Sequence, residues 1–138
     1  GGARRYRLIL YNGRPKFGWN SVQDDLFGTN NQYYTIGKWY YLVATYDGNP
    51  HIYINGEEIT PLAQLIGHYG SWDSNQLRIG YRPYTTSVGP FNGLIDEVRI
   101  YEKALETAQI ETIYYTGLER LLAEDKITEE EYRERLAL

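Results

Sequence analysis

The run Lys38-Trp39-Tyr40-Tyr41-Leu42-Val43-Ala44-Thr45-Tyr46-Asp47-Gly48 holds the longest continuous β-prone stretch of the chain, residues 38–46. β-branched and aromatic side chains favour a pleated, half-buried surface, so this stretch is placed centrally in a sheet. Reading outward, Asp47-Gly48-Asn49-Pro50 supplies turn chemistry, and His51-Ile52-Tyr53-Ile54 alternates polar and apolar. Asn55-Gly56 then turns the chain into Glu57-Glu58-Ile59, which predicts a meander. Toward the N-terminus, Tyr6-Arg7-Leu8-Ile9-Leu10-Tyr11 reads as a strand ended by Asn12-Gly13. Asn-Gly suits a tight primed turn, which makes Lys16-Phe17-Gly18-Trp19 the hairpin partner. Residues 20–31 are polar and read as a loop or weak strand. Residues 76–80 and 91–101 complete the strand list, with a loop rich in Tyr, Thr and Pro between them. Short strands at this spacing indicate an all-β sandwich.

Composition agrees. A chain of 138 residues and 16.1 kDa has room for one domain with a modest core. Its 15 Tyr, 3 Trp and 3 Phe stand beside 14 Gly, the make-up of β structure with adhesive faces. The net charge of −4 argues against general attraction to nucleic acid or to an anionic membrane, and no apolar run approaches the ~20 residues of a spanning helix. There is no Cys, which excludes disulfides, thiol chemistry and cysteine-held zinc. There is no Met either, so the initiator was removed or the sequence is a piece of a longer precursor, and an export signal would be hidden in either case. Charge divides the chain: residues 1–101 carry nine Lys/Arg against eight Asp/Glu, whereas residues 102–138 carry five against ten.

From Leu105 the apolar period changes from two to 3.6. Leu105, Ile110, Ile113 and Tyr114 share one helical face, which Gly117 is expected to end. Leu118-Glu119-Arg120-Leu121-Leu122-Ala123-Glu124 is a further short helical piece, and Thr128-Glu129-Glu130-Glu131 is a capping-box sequence opening a helix through Leu136. The boundary is set accordingly: a sandwich domain over residues 1–117 and a helical tail over 118–138. Leu118, Leu121, Leu122, Ile127, Tyr132 and Leu136 are too few to form a core alone, so the tail should pack on the sandwich or on another chain.

Taken in order, residues 38–48, 52–56, 77–80 and 91–101, followed by Ala104-Leu105 and Ile110, resemble the signature of laminin G-like jelly-roll domains of the concanavalin A-like lectin/glucanase superfamily. The resemblance covers roughly residues 6–114. It implies an antiparallel β-sandwich of the jelly-roll type, here followed by a short α-helical hairpin. Family members usually carry further strands before the position of Tyr6, one of them beside the last strand. The sandwich is therefore expected to be incomplete, either because the sequence is a fragment or because a neighbouring chain completes it. The tail after Gly117 lies outside the family pattern and is similar to short helical oligomerisation modules.

If Leu94, Val98 and Ile100 face the core, Asp96 faces it too, and its carboxylate must then be paired, hydrogen-bonded or bound to a cation. The resemblance implies a calcium ligand for some relatives. The plainer reading is a carboxylate accepting backbone N–H bonds at a bulge, and it is favoured because Ca²⁺ wants six to eight oxygens and only one is nominated here. No other cofactor is indicated. Glycoside hydrolysis needs two carboxyls about 5–9.5 Å apart on one face, but Asp96 and Glu97 are adjacent, as are Glu57 and Glu58, and Asp24-Asp25 falls in an expected loop. His51 and His68 have no evident nucleophile or metal-spacing partner, so no catalytic residue is nominated and the chain is read as no enzyme.

Glycan binding needs aromatic rings to stack on sugar faces, bordered by amides and carboxylates. The segment His68-Tyr69-Gly70-Ser71-Trp72-Asp73-Ser74-Asn75-Gln76 and the segment Arg82-Pro83-Tyr84-Thr85 have that make-up. Trp72, Asp73, Asn75 and Tyr84 are the candidates, against the equal alternative that these rings cap the core or fill an interface. Trp19, Trp39 and Tyr41 are read as core. The basic cluster Arg4, Arg5 and Arg7 is read as a solvated strand end or a contact to a neighbour's acidic tail. The expected function is a non-catalytic extracellular or cell-surface binding and adhesion module that recognises a glycan or surface polysaccharide and self-associates as a homo-oligomer. The alternative is a structural subunit of a surface filament, sheet or virion, completed by strand complementation from another chain.

Overall fold

The computed structural model describes residues 5–20, 24–29, 31–59, 63–64, 77–80 and 90–136. Two antiparallel sheets carry the body. The first has the order β1-β2-β3-β7, formed by β1 (Arg5–Tyr11), β2 (Arg14–Asn20), β3 (Asp24–Gly28) and β7 (Ala63–Gln64). The second has the order β4-β5-β6, formed by β4 (Leu42–Tyr46), β5 (Pro50–Ile54) and β6 (Glu57–Glu58). The Asn-Gly pairs make the turns expected of them. Asn12 and Gly13 have φ of 49° and 76°, and Asn55 and Gly56 have 53° and 86°, the doubly positive pattern that matches strand twist in a two-residue hairpin. These turns set the registers of the hairpins they close, with Leu8 opposite Phe17 and Ile54 opposite Glu57.

The sheets meet over Phe17, Ile52 and Ile59, against which Tyr33, Leu42, Ala44 and Tyr46 pack. Ile52 is fully buried, a burial that contributes about 1.5–3 kcal/mol. A second cluster of Tyr114, Leu118 and Ile127 is packed by Trp39, Tyr41, Leu121, Leu122 and Tyr132. The helical tail therefore docks on the body, as its sparse apolar set required, and Trp39 and Tyr41 are core residues there. Close approach shows at Gly56, where an added Cβ would lie 3.2 Å from Tyr114 Cδ1.

The helices are α1 (Thr107–Ala123) and α2 (Glu129–Leu136). Gln109 Oε1 accepts the Glu106 backbone N–H at 2.9 Å, closing one orphan donor at the start of α1. At its end, Lys126 N–H donates to the Leu121 carbonyl at 2.8 Å and Asp125 N–H to the Leu122 carbonyl at 3.1 Å, with Asp125 left-handed at φ 56°. That is a Schellman stop made by an aspartate instead of a glycine. The Thr128 hydroxyl accepts the Glu131 N–H at 3.1 Å, the cap anticipated for α2.

Several sequence expectations are corrected. Gly117 does not end a helix. α1 runs through it, because buried Tyr114 and Leu118, one turn apart, outweigh the roughly 1 kcal/mol that a mid-helix glycine costs. The run 38–46 pairs only from Leu42, and β4 lies at the end of its described sheet, not at its centre. β5 ends opposite Leu42, and Asn55 clasps Tyr41 instead: Tyr41 N–H donates to Asn55 Oδ1 at 3.0 Å, and Asn55 N–H donates to the Tyr41 carbonyl at 2.8 Å. Asp24-Asp25 lies in β3, not in a loop. Residues 77–80 and 91–101 form no strand. Within the second of these, the Asp96 carboxylate accepts the Glu97 N–H at 2.8 Å and Glu97 takes φ 52°, a local bond and a left-handed step that displace ladder pairing.

Candidate functional site

The site grows from the edge of the first sheet. Leu8 is opposite Phe17, so both lie on the same face, and Phe17 is buried against the second sheet. Alternation then aims Tyr6, Leu8 and Leu10 inward as well. All three are nevertheless exposed, Leu8 at 43%. Among the described strands, β4, β5 and β6 end the second sheet before it covers β1, and β1 has no neighbour on its outer side. Tyr6 stacks on Phe17 with ring centroids 6.2 Å apart.

A second apolar surface is presented by the two segments that were expected to be strands. Leu77, Ile79, Phe91, Ile95, Val98 and Tyr101 are exposed, and Leu94 and Ile100 are 76% and 74% exposed. Scattered exposed apolar residues are ordinary, but eight of them fall within residues 77–79 and 91–101.

Charge borders it. Arg120 of α1 reaches Asp96 Oδ2 at 3.3 Å, Glu97 Oε1 at 3.1 Å and Glu124 Oε1 at 3.7 Å, while Arg99 also pairs with Glu97. Asp96 is thus corrected from a core position to an exposed one, half open to solvent, because the segment that carries it is not a strand. The same departure brings Asp96 and Glu97 to one guanidinium, although adjacent strand residues would face apart. The Asp96 carboxylate is engaged by Arg120 and by the Glu97 backbone N–H, and among the described residues no group of three or more His, Asp or Glu could hold a metal ion.

Sequence reading missed one arrangement. His51 Nδ1 lies 2.7 Å from Glu58 Oε1, and His51 Nε2 lies 3.4 Å from Asp47 Oδ1. The bond to Glu58 and the two carboxylate charges hold the imidazole above its usual range, against partial burial. The Asn49 backbone N–H, above all, holds Asp47 below its usual range. Asp47 and His51 flank a tight turn, which was the signal available in the sequence; Glu58 comes near through the β5–β6 pairing. Elsewhere, burial pushes the hydroxyls of Tyr41 and Tyr114 up, and their rings stack with centroids 6.1 Å apart.

The glycan candidates Trp72, Asp73, Asn75 and Tyr84 lie outside the described residues, as does His68. No helix among the described residues is long and apolar enough to cross a membrane.

Comparison with known proteins gives one family match. The model of a laminin G-type family, described as concanavalin A-like lectin/glucanases superfamily, matches residues 1–111. No curated protein matches the chain. A crystal structure of an S-layer domain-containing protein from Clostridium thermocellum is similar at 23% identity, with a TM-score of 0.46. The similarity covers 79% of this chain and 55% of that one, so the chain spans about half of that structure's length.

Proposed function

We propose that this chain, which belongs to the concanavalin A-like lectin/glucanase superfamily, serves at the cell surface or outside the cell as a non-catalytic module that works by surface contact, copies of itself included among its partners. The observation that supports this is the apolar surface. Inward-facing Tyr6, Leu8 and Leu10 are uncovered on one side, and exposed Leu94, Val98 and Ile100 on another. Leaving such surface in water is unfavourable by about 25 cal/mol per Å², and association removes it. Sedimentation velocity of the intact chain over a broad concentration range tests the reading. A mass that rises with concentration is expected, and a monomer throughout would refute it.

Glycan recognition is the second reading, supported by superfamily membership and by the aromatic, amide and carboxylate make-up of residues 68–76. On a glycan array the intact chain should retain a defined set of sugars, and Trp72→Ala with Tyr84→Ala should abolish that retention. Unchanged binding by the double variant, or no retention by the parent, removes this reading.

A further inference from the structure

The pair Asn-Gly occurs three times in the chain, at 12–13, 55–56 and 92–93. In each, an asparagine amide is followed by a backbone nitrogen whose own residue has no Cβ to hinder its approach. The fold gives the three pairs different settings. The structure assigns Asn92 as a site of spontaneous deamidation, a modification that needs water alone as co-reactant and from which the turns at 12–13 and 55–56 hold back the other two pairs. In the first step the Gly93 nitrogen gives up its proton to solvent base and bonds to Asn92 Cγ, while the side-chain nitrogen takes up a proton and leaves as ammonia. The product is a five-membered succinimide. Water then opens the ring: cleavage between the nitrogen and Cγ leaves aspartate, and cleavage between the nitrogen and the backbone carbonyl carbon leaves isoaspartate, in which the chain runs through Cγ. By either route a neutral amide becomes a carboxylate, the third in residues 91–101 beside Asp96 and Glu97.

Ring closure requires the asparagine backbone and side chain to turn toward each other, and the three settings differ in what opposes that. Asn55 Oδ1 accepts the Tyr41 N–H at 3.0 Å, Asn55 N–H donates to the Tyr41 carbonyl at 2.8 Å, and Gly56 is buried beside the Tyr114 ring. Closure there must break both bonds. Asn12 is exposed, but it and Gly13 are both left-handed in the turn that joins β1 to β2, and the Gly13 carbonyl accepts the Tyr33 N–H at 2.8 Å. That turn must open first. Asn92 and Gly93 are both exposed, neither is left-handed, and neither lies in a strand or helix. Among the described residues no hydrogen bond holds either of them.

The test incubates the folded full-length chain in mildly alkaline buffer and maps its peptides by mass spectrometry, with a fragmentation that separates aspartate from isoaspartate. Asn92 should convert at least about tenfold faster than Asn55, the factor that about 1.4 kcal/mol of protecting hydrogen bonds commands, and Asn12 should fall between them. In urea, where no fold distinguishes the pairs, the three rates should converge. Asn92→Gln should remove the fastest-forming acidic species on ion exchange. It is chosen over Gly93→Ala because an added Cβ at Gly93 would lie 2.8 Å from Phe91 Cε1. Circular dichroism matching the parent confirms that the variant keeps the fold. Conversion at Asn92 no faster than at Asn12 or Asn55 in the folded chain overturns the assignment. A ranking that persists unchanged in urea overturns it too, since local sequence and not the fold would then set the rates.

Discussion

Replacing Gly117 by Ala separates two accounts of the C-terminal half by the sign of a stability change. A glycine that ends a helix takes a left-handed backbone, where alanine is strained and costs about 1 kcal/mol or more. In the structure Gly117 lies within α1, is absent from the positive-φ residues, and has nothing within 4 Å of an added Cβ. Alanine there removes the roughly 0.8–1.0 kcal/mol penalty of a mid-helix glycine, so Gly117→Ala should stabilise by about 0.5–1 kcal/mol. An unfolding entropy of about 2.1 cal/mol/K per residue gives about 0.29 kcal/mol/K for a chain of this length, and the melting temperature should rise by roughly 2–3 °C. Thermal unfolding followed at 222 nm and in the aromatic near-ultraviolet reads this out, with urea unfolding as the second measure of stability. Gly56→Ala serves as the opposite control, since Gly56 has φ 86° and its added Cβ would crowd Tyr114; it should destabilise. A lower melting temperature for Gly117→Ala would show that the helix breaks at that residue and would refute the continuous α1.

Two further outcomes follow from the same packing and from the His51 cluster. Leu118→Ala, at a residue 1% exposed in the cluster against which Trp39 and Tyr41 pack, should cost about 2–5 kcal/mol and change the near-ultraviolet dichroism together with the helix signal; loss of the helix signal alone would show that the tail is not part of the core. The charged form of His51 is favoured in the folded chain, so its stabilisation is complete below the ordinary value of 6.5 and fades as pH rises through the higher folded value. Depressed Asp47 acts with the opposite sign, its contribution present above 3.8 and lost as pH falls through the lower folded value. The melting temperature should therefore fall as pH rises above 6.5, and His51→Gln should flatten that decline. An equal decline in His51→Gln would assign it to other groups.

How much was legible differs element by element. The Asn12-Gly13 and Asn55-Gly56 turns could be read directly, because a doubly positive φ pair is nearly confined to such residues, and the hairpins on either side inherit their registers from the turns. The Thr128 cap was legible for the same local reason. The end of α1 was not. Gly117 carries the sign of a stop, yet the stop is Asp125, because burial of Tyr114 and Leu118 on the body extends the helix past the glycine.

The candidate site divides in the same way. Alternation along β1 places Tyr6, Leu8 and Leu10 on one face, which is a property of the chain alone. Whether another layer covers that face depends on how far the second sheet extends, and only tertiary structure decided it. Asp96 shows the limit most clearly. Its neighbours Leu94, Val98 and Ile100 have the pattern of a buried strand, but a strand exists only where a partner takes its backbone hydrogen bonds. Without one among the described residues, Asp96 turned to its own neighbour's N–H and to Arg120, and the apolar side chains around it remained in water. Local chemistry along the chain therefore determined the turns, caps and apolar faces, whereas the presence or absence of a partner at long range decided which faces were buried.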